Sequence, residues 1–121
     1  MSKKILVVED TEDNRQILRD LLSAAGYDMI EAHDGAEGVA KASEHRPDLI
    51  LMDIQMPVMD GYEATRRIKA DPALKSIPVI AVTSYALSGD EDKARAAGCD
   101  GYVAKPFSPR QMLAKVREII G

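Results

Sequence analysis

The sequence predicts an α/β fold in which a five-stranded parallel sheet is wrapped by five helices lying on both of its faces. Three observations carry that prediction. Short apolar runs alternate with helix-like patterns from one end of the 121 residues to the other. The strongest runs are continuous rather than alternating, as strands buried on both faces require. Between successive runs lie segments with helical periodicity and cap residues, which is how parallel strands are joined, by right-handed crossovers.

The first run, Ile5-Leu6-Val7-Val8, is β-branched at three of four positions and reads as a buried strand. Ile17, Leu18, Leu21, Leu22 and Ala25 then recur at helical spacing, and Gly26 is placed to end that helix. Tyr27 to Ala32 is a second, weaker strand. Asp34 with Glu37 resembles a capping box, opening a helix that stops before Pro47. Leu49-Ile50-Leu51-Met52 is the third strand and ends at Asp53. Asp60 and Glu63 cap a helix carrying Ala64, Ile68 and Ala70, stopped by Asp71-Pro72. Ile77 to Val82 is the fourth strand. Ser88 with Glu91 opens the next helix, spanning Leu87 to Ala97 and closed by Gly98. Gly101 to Ala104 is a short fifth strand. Ser108-Pro109-Arg110-Gln111 then supplies an N-cap, a first-turn proline and a third-position glutamine for the last helix.

Composition narrows the function classes. Hydrophobic residues make up 45% and the charges sum to 16 − 20 = −4, with both signs spread along the chain. No basic patch suits a nucleic-acid backbone, and no apolar run is long enough to span a membrane. One cysteine, Cys99, excludes an internal disulfide and a cysteine-rich zinc site; it reads as a small buried hydrophobe. His33 and His45 are too few and too badly spaced for a metal site. The expected class is a single, cytoplasmic domain over residues 1–121.

In such sheets ligands bind beyond the carboxyl ends of the strands. Those ends here carry Glu9-Asp10, Asp53, Thr83-Ser84 and Lys105-Pro106. Three carboxylates on one rim repel unless a cation lies between them, and an all-oxygen donor set favours a hard ion such as Mg²⁺. A carboxylate is also a nucleophile toward phosphorus, and phosphoryl transfer asks the protein mainly for positioning and neutralisation of oxygens. Asp53 ends the most apolar strand and is the expected nucleophile, and Met56 and Met59, in the loop after it, are expected to shape access to it. Thr83 and Lys105 are expected to share the phosphoryl oxygens.

These residues resemble the receiver domains of two-component response regulators, over essentially the whole chain from Lys4 to Ile120. The carriers are Val-Val-Glu-Asp ending at Asp10, the stretch Leu51 to Pro57, Met59-Asp60-Gly61, Thr83-Ser84 and Lys105-Pro106-Phe107. The resemblance implies the flavodoxin-like strand order 2-1-3-4-5. It implies that Asp53 accepts a phosphoryl group from a histidine kinase or histidine phosphotransfer protein. It also implies a Mg²⁺ ion, with Mn²⁺ an acceptable substitute, held by Asp10, Asp53 and the Gln55 carbonyl, with Glu9 nearby or acting through water. Thr83 and Tyr102 would form the switch, altering the surface of the fourth helix, fifth strand and fifth helix. Gln55 and Tyr85 would border the path of the hydrolytic water, and the Lys105–Pro106 peptide would be cis. The overall flavour resembles that of the stand-alone cell-cycle receivers of alpha-proteobacteria, and the receiver family implies an acyl-phosphate signalling switch rather than an enzyme. It would act as a monomer or a weak, phosphorylation-linked dimer. With the chain ending at Gly121 just after the last helix, its output is expected to pass through a partner protein.

Other classes fit less well. Phosphatases of the haloacid-dehalogenase type also pair an aspartate nucleophile with Mg²⁺, a hydroxyl and a lysine, but carry an acid–base aspartate two residues on. Gln55 stands there and cannot shuttle a proton. A flavin or dinucleotide binder needs a glycine-rich turn after the first strand, where this chain has Glu9-Asp10-Thr11-Glu12. A phosphate-independent interaction module would have no need of the full set of rim residues.

Overall fold

A computed structural model describes residues 3–54, 56, 59–83, 90–105 and 107–120. The apolar runs form the strands β1 (Lys4–Val8), β2 (Asp28–Ala32), β3 (Leu49–Asp53), β4 (Val79–Thr83) and β5 (Gly101–Ala104). All pair in parallel, in the order β2-β1-β3-β4-β5. The helices are α1 (Glu12–Ala24), α2 (Gly35–His45), α3 (Gly61–Ala70), α4 (Asp90–Ala97) and α5 (Pro109–Ile120). Among the described residues no helix is long and apolar enough to cross a membrane.

Period-two alternation along the central strands feeds two cores. Leu6, Val8, Ile50, Met52, Val79 and Ala81 face one side, where they pack with Ala42, Ala64, Ile68 and Ala94 of α2, α3 and α4. Ile5, Val7, Leu49, Leu51, Ile80 and Val82 face the other, against Leu18 and Leu22 of α1 and Met112 and Val116 of α5. Both faces of the middle strands are therefore dry, which is why these runs are continuously apolar.

The caps are where the spacing puts them. Asp34 Oδ1 accepts from the Glu37 N–H at 2.8 Å, and Asp60 Oδ1 from the Glu63 N–H at 2.9 Å. Glu37 reaches back one residue further than a capping box requires, to the N–H of His33 at 2.9 Å. Ser108 and Gln111 close the full reciprocal box, with bonds of 2.9 and 3.1 Å. Gly98, with φ of 105°, ends α4 in the left-handed region. The expected cap at Ser88, like the start of that helix at Leu87, lies outside the described residues.

Three expectations shift. The fourth strand begins at Val79, not Ile77, because Pro78 has no N–H for the ladder; its carbonyl still accepts from Ile50 at 3.0 Å. Ile17, expected with Leu18 on the apolar face of α1, is 56% exposed. The buried line of that helix is Arg15, Leu18 and Leu22, and Ile17 points away from it. Met56, read as a loop residue shaping access to Asp53, is buried in the core with Ile54, and half-buried Met59 packs against the same cluster.

Candidate functional site

The register carries the rim residues to one end of the sheet. Val8 pairs with Met52 and Asp53 with Val82, so the residues following β1 and ending β3 and β4 emerge side by side. Beyond β5 the ladder runs on, since the Lys105 N–H donates to the Thr83 carbonyl at 2.6 Å. Lysine and threonine are thus tied together by backbone before their side chains act.

Glu9 and Asp53 are buried, at 3% and 4% exposure, while Asp10 is exposed. One carboxylate oxygen from each of the three lies within 4.8 Å of the others. The Lys105 ammonium enters this cluster, 2.9 Å from Glu9 Oε1 and 3.5 Å from Asp53 Oδ1. Glu9 Oε2 accepts from the Thr11 N–H at 3.2 Å. Thr83 is buried at the end of β4. By the strand alternation it falls on the face of Ala81, where half-buried Tyr102, the register partner of Ala81, also packs.

The electrostatics divide the carboxylates. Burial alone would raise the Glu9 pKa. The bonds it shares with Asp53, Asp10 and Lys105 outweigh burial and hold it down at about 2. Asp10 moves the other way, raised by sharing a hydrogen bond with Glu9, by partial desolvation and by the Glu9 charge. Burial would discharge Lys105, yet its contacts with Glu9 and Asp53 keep the ammonium form and raise its pKa. Lys105 therefore contacts two of three clustered carboxylates, a donor set of hard oxygens suited to a divalent cation of the Mg²⁺ type.

That imbalance has a measurable consequence. In chelator at pH 7, Asp10→Asn relieves like-charge repulsion and is expected to add about 0.5 kcal/mol, or roughly 2 °C in Tm. Because the Asp10 pKa is raised on folding, the folded protein binds that proton more tightly than the unfolded chain. The parent therefore regains the difference as pH falls through that pKa, and the Tm gap between variant and parent closes. Melting both proteins across pH 4–7 checks this; a gap that widens on acidification contradicts it.

Around the cluster, a cavity of about 420 Å³ opens between α1 and the segment after β5, lined by Asn14, Ile17, Lys105 and Phe107 as well as Glu9 and Asp53. Gln55, Ser84, Tyr85 and Pro106 lie outside the described residues, and with them the expected carbonyl ligand, the residues bordering the water path and the cis peptide.

Cys99 is buried, its Sγ 3.8 Å from Thr65 Oγ1, and burial raises its thiol pKa, as suits an inert core residue. His33 is exposed and pairs with Glu37 at 2.7 Å. Two residues that shape the site were not singled out for it by sequence reasoning. A Cβ on Gly61 would overlap the Asp53 carbonyl and come within 2.8 Å of Ile54 Cα. Arg15, 5% exposed, donates to the Glu9 carbonyl at 2.7 Å. The available signal for Arg15 was its place three and seven residues before Leu18 and Leu22, on the buried line of α1.

The chain and its fold have close counterparts. The chain is 46% identical over 121 residues to the polar-differentiation response regulator DivK of Brucella anthropi, covering all of this chain and 98% of that protein. The receiver domain of a sensor histidine kinase from Pseudomonas aeruginosa, whose active-site cleft coordinates a magnesium ion, superposes with a TM-score of 0.93 at 38% identity, over 100% of this chain and 99% of that one. The chemotaxis protein CheY4 of Vibrio cholerae gives 0.93 at 32% identity, over 98% and 99%. Residues 5–117 match the response regulator receiver domain as a family. With its 2-1-3-4-5 sheet and its acidic rim, the chain belongs to the response regulator receiver domains of bacterial two-component systems.

Proposed function

We propose that residues 1–121 form one receiver domain that accepts a phosphoryl group on Asp53 from a phosphohistidine of a kinase or phosphotransfer protein. The observation that carries this reading is the Lys105 ammonium set between buried Glu9 and Asp53, with Asp10 beside them. A carboxylate oxygen of Asp53 attacks phosphorus, the P–N bond breaks, and the imidazole nitrogen leaves with the bonding pair. An acyl phosphate remains on Asp53. Lys105 and the Thr83 hydroxyl take two of the phosphoryl oxygens, Lys105 exchanging its carboxylate partners for a phosphate one. Asp10 and Asp53, with the Gln55 carbonyl and Glu9 directly or through water, supply oxygen donors that fit Mg²⁺. When bound, that ion neutralises charge on the acidic rim and on the phosphoryl oxygens.

Reversal is hydrolysis. Water attacks phosphorus in line with the Asp53 oxygen, the O–P bond breaks, and inorganic phosphate leaves with the carboxylate restored. By the family pattern Gln55 and Tyr85 would border that path, Gln55 orienting the water without deprotonating it and Tyr85 shielding it and lengthening the signal. Between the two steps the acyl phosphate draws Thr83 inward, and Tyr102, on the same sheet face, turns into the space released. The message is then read by a protein target on the α4–β5–α5 surface. NMR spectra recorded before and after phosphorylation are expected to move Tyr102 and its neighbours in α4 and α5. Changes confined to α1 contradict the switch.

Incubation with a small acyl phosphate and Mg²⁺ tests the reaction itself. Stoichiometric, chelator-sensitive labelling with no turnover of phosphomonoesters supports a receiver. Steady release of phosphate from phosphomonoesters supports a phosphatase instead.

A further inference from the structure

Arg15 is a buried cation that the phosphoryl chemistry leaves without a task. Placing a guanidinium at 5% exposure is costly unless each arm is partnered. Nη2 donates to Glu12 Oε2 at 2.6 Å, and Nη1 donates to the Glu9 carbonyl at 2.7 Å. Nε faces Glu31 Oε1 at 3.3 Å but makes no hydrogen bond. Glu31 is itself gripped by Arg19, at 3.0 and 2.5 Å. The carbonyl contact is therefore the arm of Arg15 that reaches the rim.

That carbonyl belongs to the peptide that carries Asp10. Peptides are planar, so holding the oxygen sets the direction in which the chain enters Asp10. The rest of Glu9 is pinned as well: its N–H donates to the Ala32 carbonyl at 3.0 Å, and its carboxylate accepts from Thr11 and Lys105. Asp10, by contrast, is exposed. Its Oδ1 accepts from the Thr11 hydroxyl at a long 3.4 Å and its carboxylate meets that of Glu9, while the peptide before it sets the direction from which the side chain starts.

We infer that Arg15 is a positioning residue for the cation site, acting through its hydrogen bond to the Glu9 carbonyl on the Glu9–Asp10 pair. The inference rests on reading Glu9, Asp10 and Asp53 as a Mg²⁺ site. Its sign separates it from simple electrostatics. Coulomb's law makes removal of a positive charge beside an acidic cluster tighten cation binding. Loss of an outer residue that orients ligands weakens binding, typically by roughly 10–100-fold.

Calorimetric titration of the unphosphorylated protein with MgCl₂ distinguishes these. Arg15→Met is expected to bind about tenfold more weakly than the parent, and Arg15→Lys, which keeps one donor for the carbonyl, only about threefold. Glu31→Gln alters a partner of Arg15 that does not touch the carbonyl, and is expected to bind within about twofold of the parent. Arg15→Met binding as tightly as the parent, or tighter, overturns the inference, and so does an equal loss in Glu31→Gln. Should Arg15→Met fail to fold, the lysine variant decides: weaker binding than Glu31→Gln supports positioning, and equal binding overturns it. A parent that shows no saturable Mg²⁺ binding overturns the metal reading, and this inference with it.

Discussion

Asp53→Asn is expected to lose phosphorylation by small acyl phosphates by at least about a thousandfold, with the fold intact. The amide has nearly the shape of the carboxylate and still accepts a hydrogen bond, so the neighbours Glu9 and Lys105 need not move. What disappears is the proposed nucleophile, since an amide oxygen has neither the charge nor the basicity to displace a leaving group from phosphorus. The substitution also removes one of three crowded carboxylates, so stability in chelator is expected to hold or rise. Intact-protein mass spectrometry after incubation with acyl phosphate and Mg²⁺ reads the first effect, and thermal melts read the second. A mass gain of one phosphoryl group in the variant equal to the parent's contradicts the assignment.

Gly61→Ala is expected to be the most damaging single methyl that can be added near the site. The new Cβ would overlap the Asp53 carbonyl and press on Ile54 Cα, and these are backbone atoms that cannot rotate aside. The Gly61 N–H also donates to the Ile54 carbonyl at 3.1 Å, which clamps the start of α3 onto the end of β3. Overpacking of this kind costs about 1–3 kcal/mol, a fall of roughly 5–10 °C in Tm, and it displaces Asp53, the proposed phosphoryl acceptor. Gly26→Ala is the control. Gly26 has φ of 89° with open space around its missing Cβ, so alanine there meets strain without a clash. Melts of both variants beside phosphorylation rates check this. The Gly26 variant is expected to keep the parent's rate and the Gly61 variant to lose most of it, whereas equal rates in the two contradict the buttressing role.

Most of the architecture is legible because parallel strands covered on both sides must be apolar without interruption. Leu49 to Met52 and Ile5 to Val8 advertise themselves for that reason, and the residue ending each run is then a candidate for the rim. Capping pairs such as Asp60–Glu63 and Ser108–Gln111 read directly because their chemistry is local. What was not legible depends on contacts distant in sequence. Ile17 looks like a core residue from its spacing, yet Arg15 occupies the buried line, since the Glu9 carbonyl and Glu31 give its charge a home there. Met56 reads as a loop residue because nothing in its neighbours reveals that the chain dips back into the core after Ile54. The space that Gly61 leaves for the Asp53 carbonyl is a property of how α3 meets β3, and no periodicity encodes it.

The central claim is that the phosphoryl group arrives on Asp53 and nowhere else on the rim. Borohydride reduces an acyl phosphate to the alcohol, releasing phosphate and leaving homoserine where the aspartate stood. Protein phosphorylated with acyl phosphate and Mg²⁺, reduced, digested and sequenced by mass spectrometry, is predicted to carry homoserine at position 53. Homoserine at position 10, the reduced form of glutamate at position 9, or a stable phosphate on Thr83 would contradict the account.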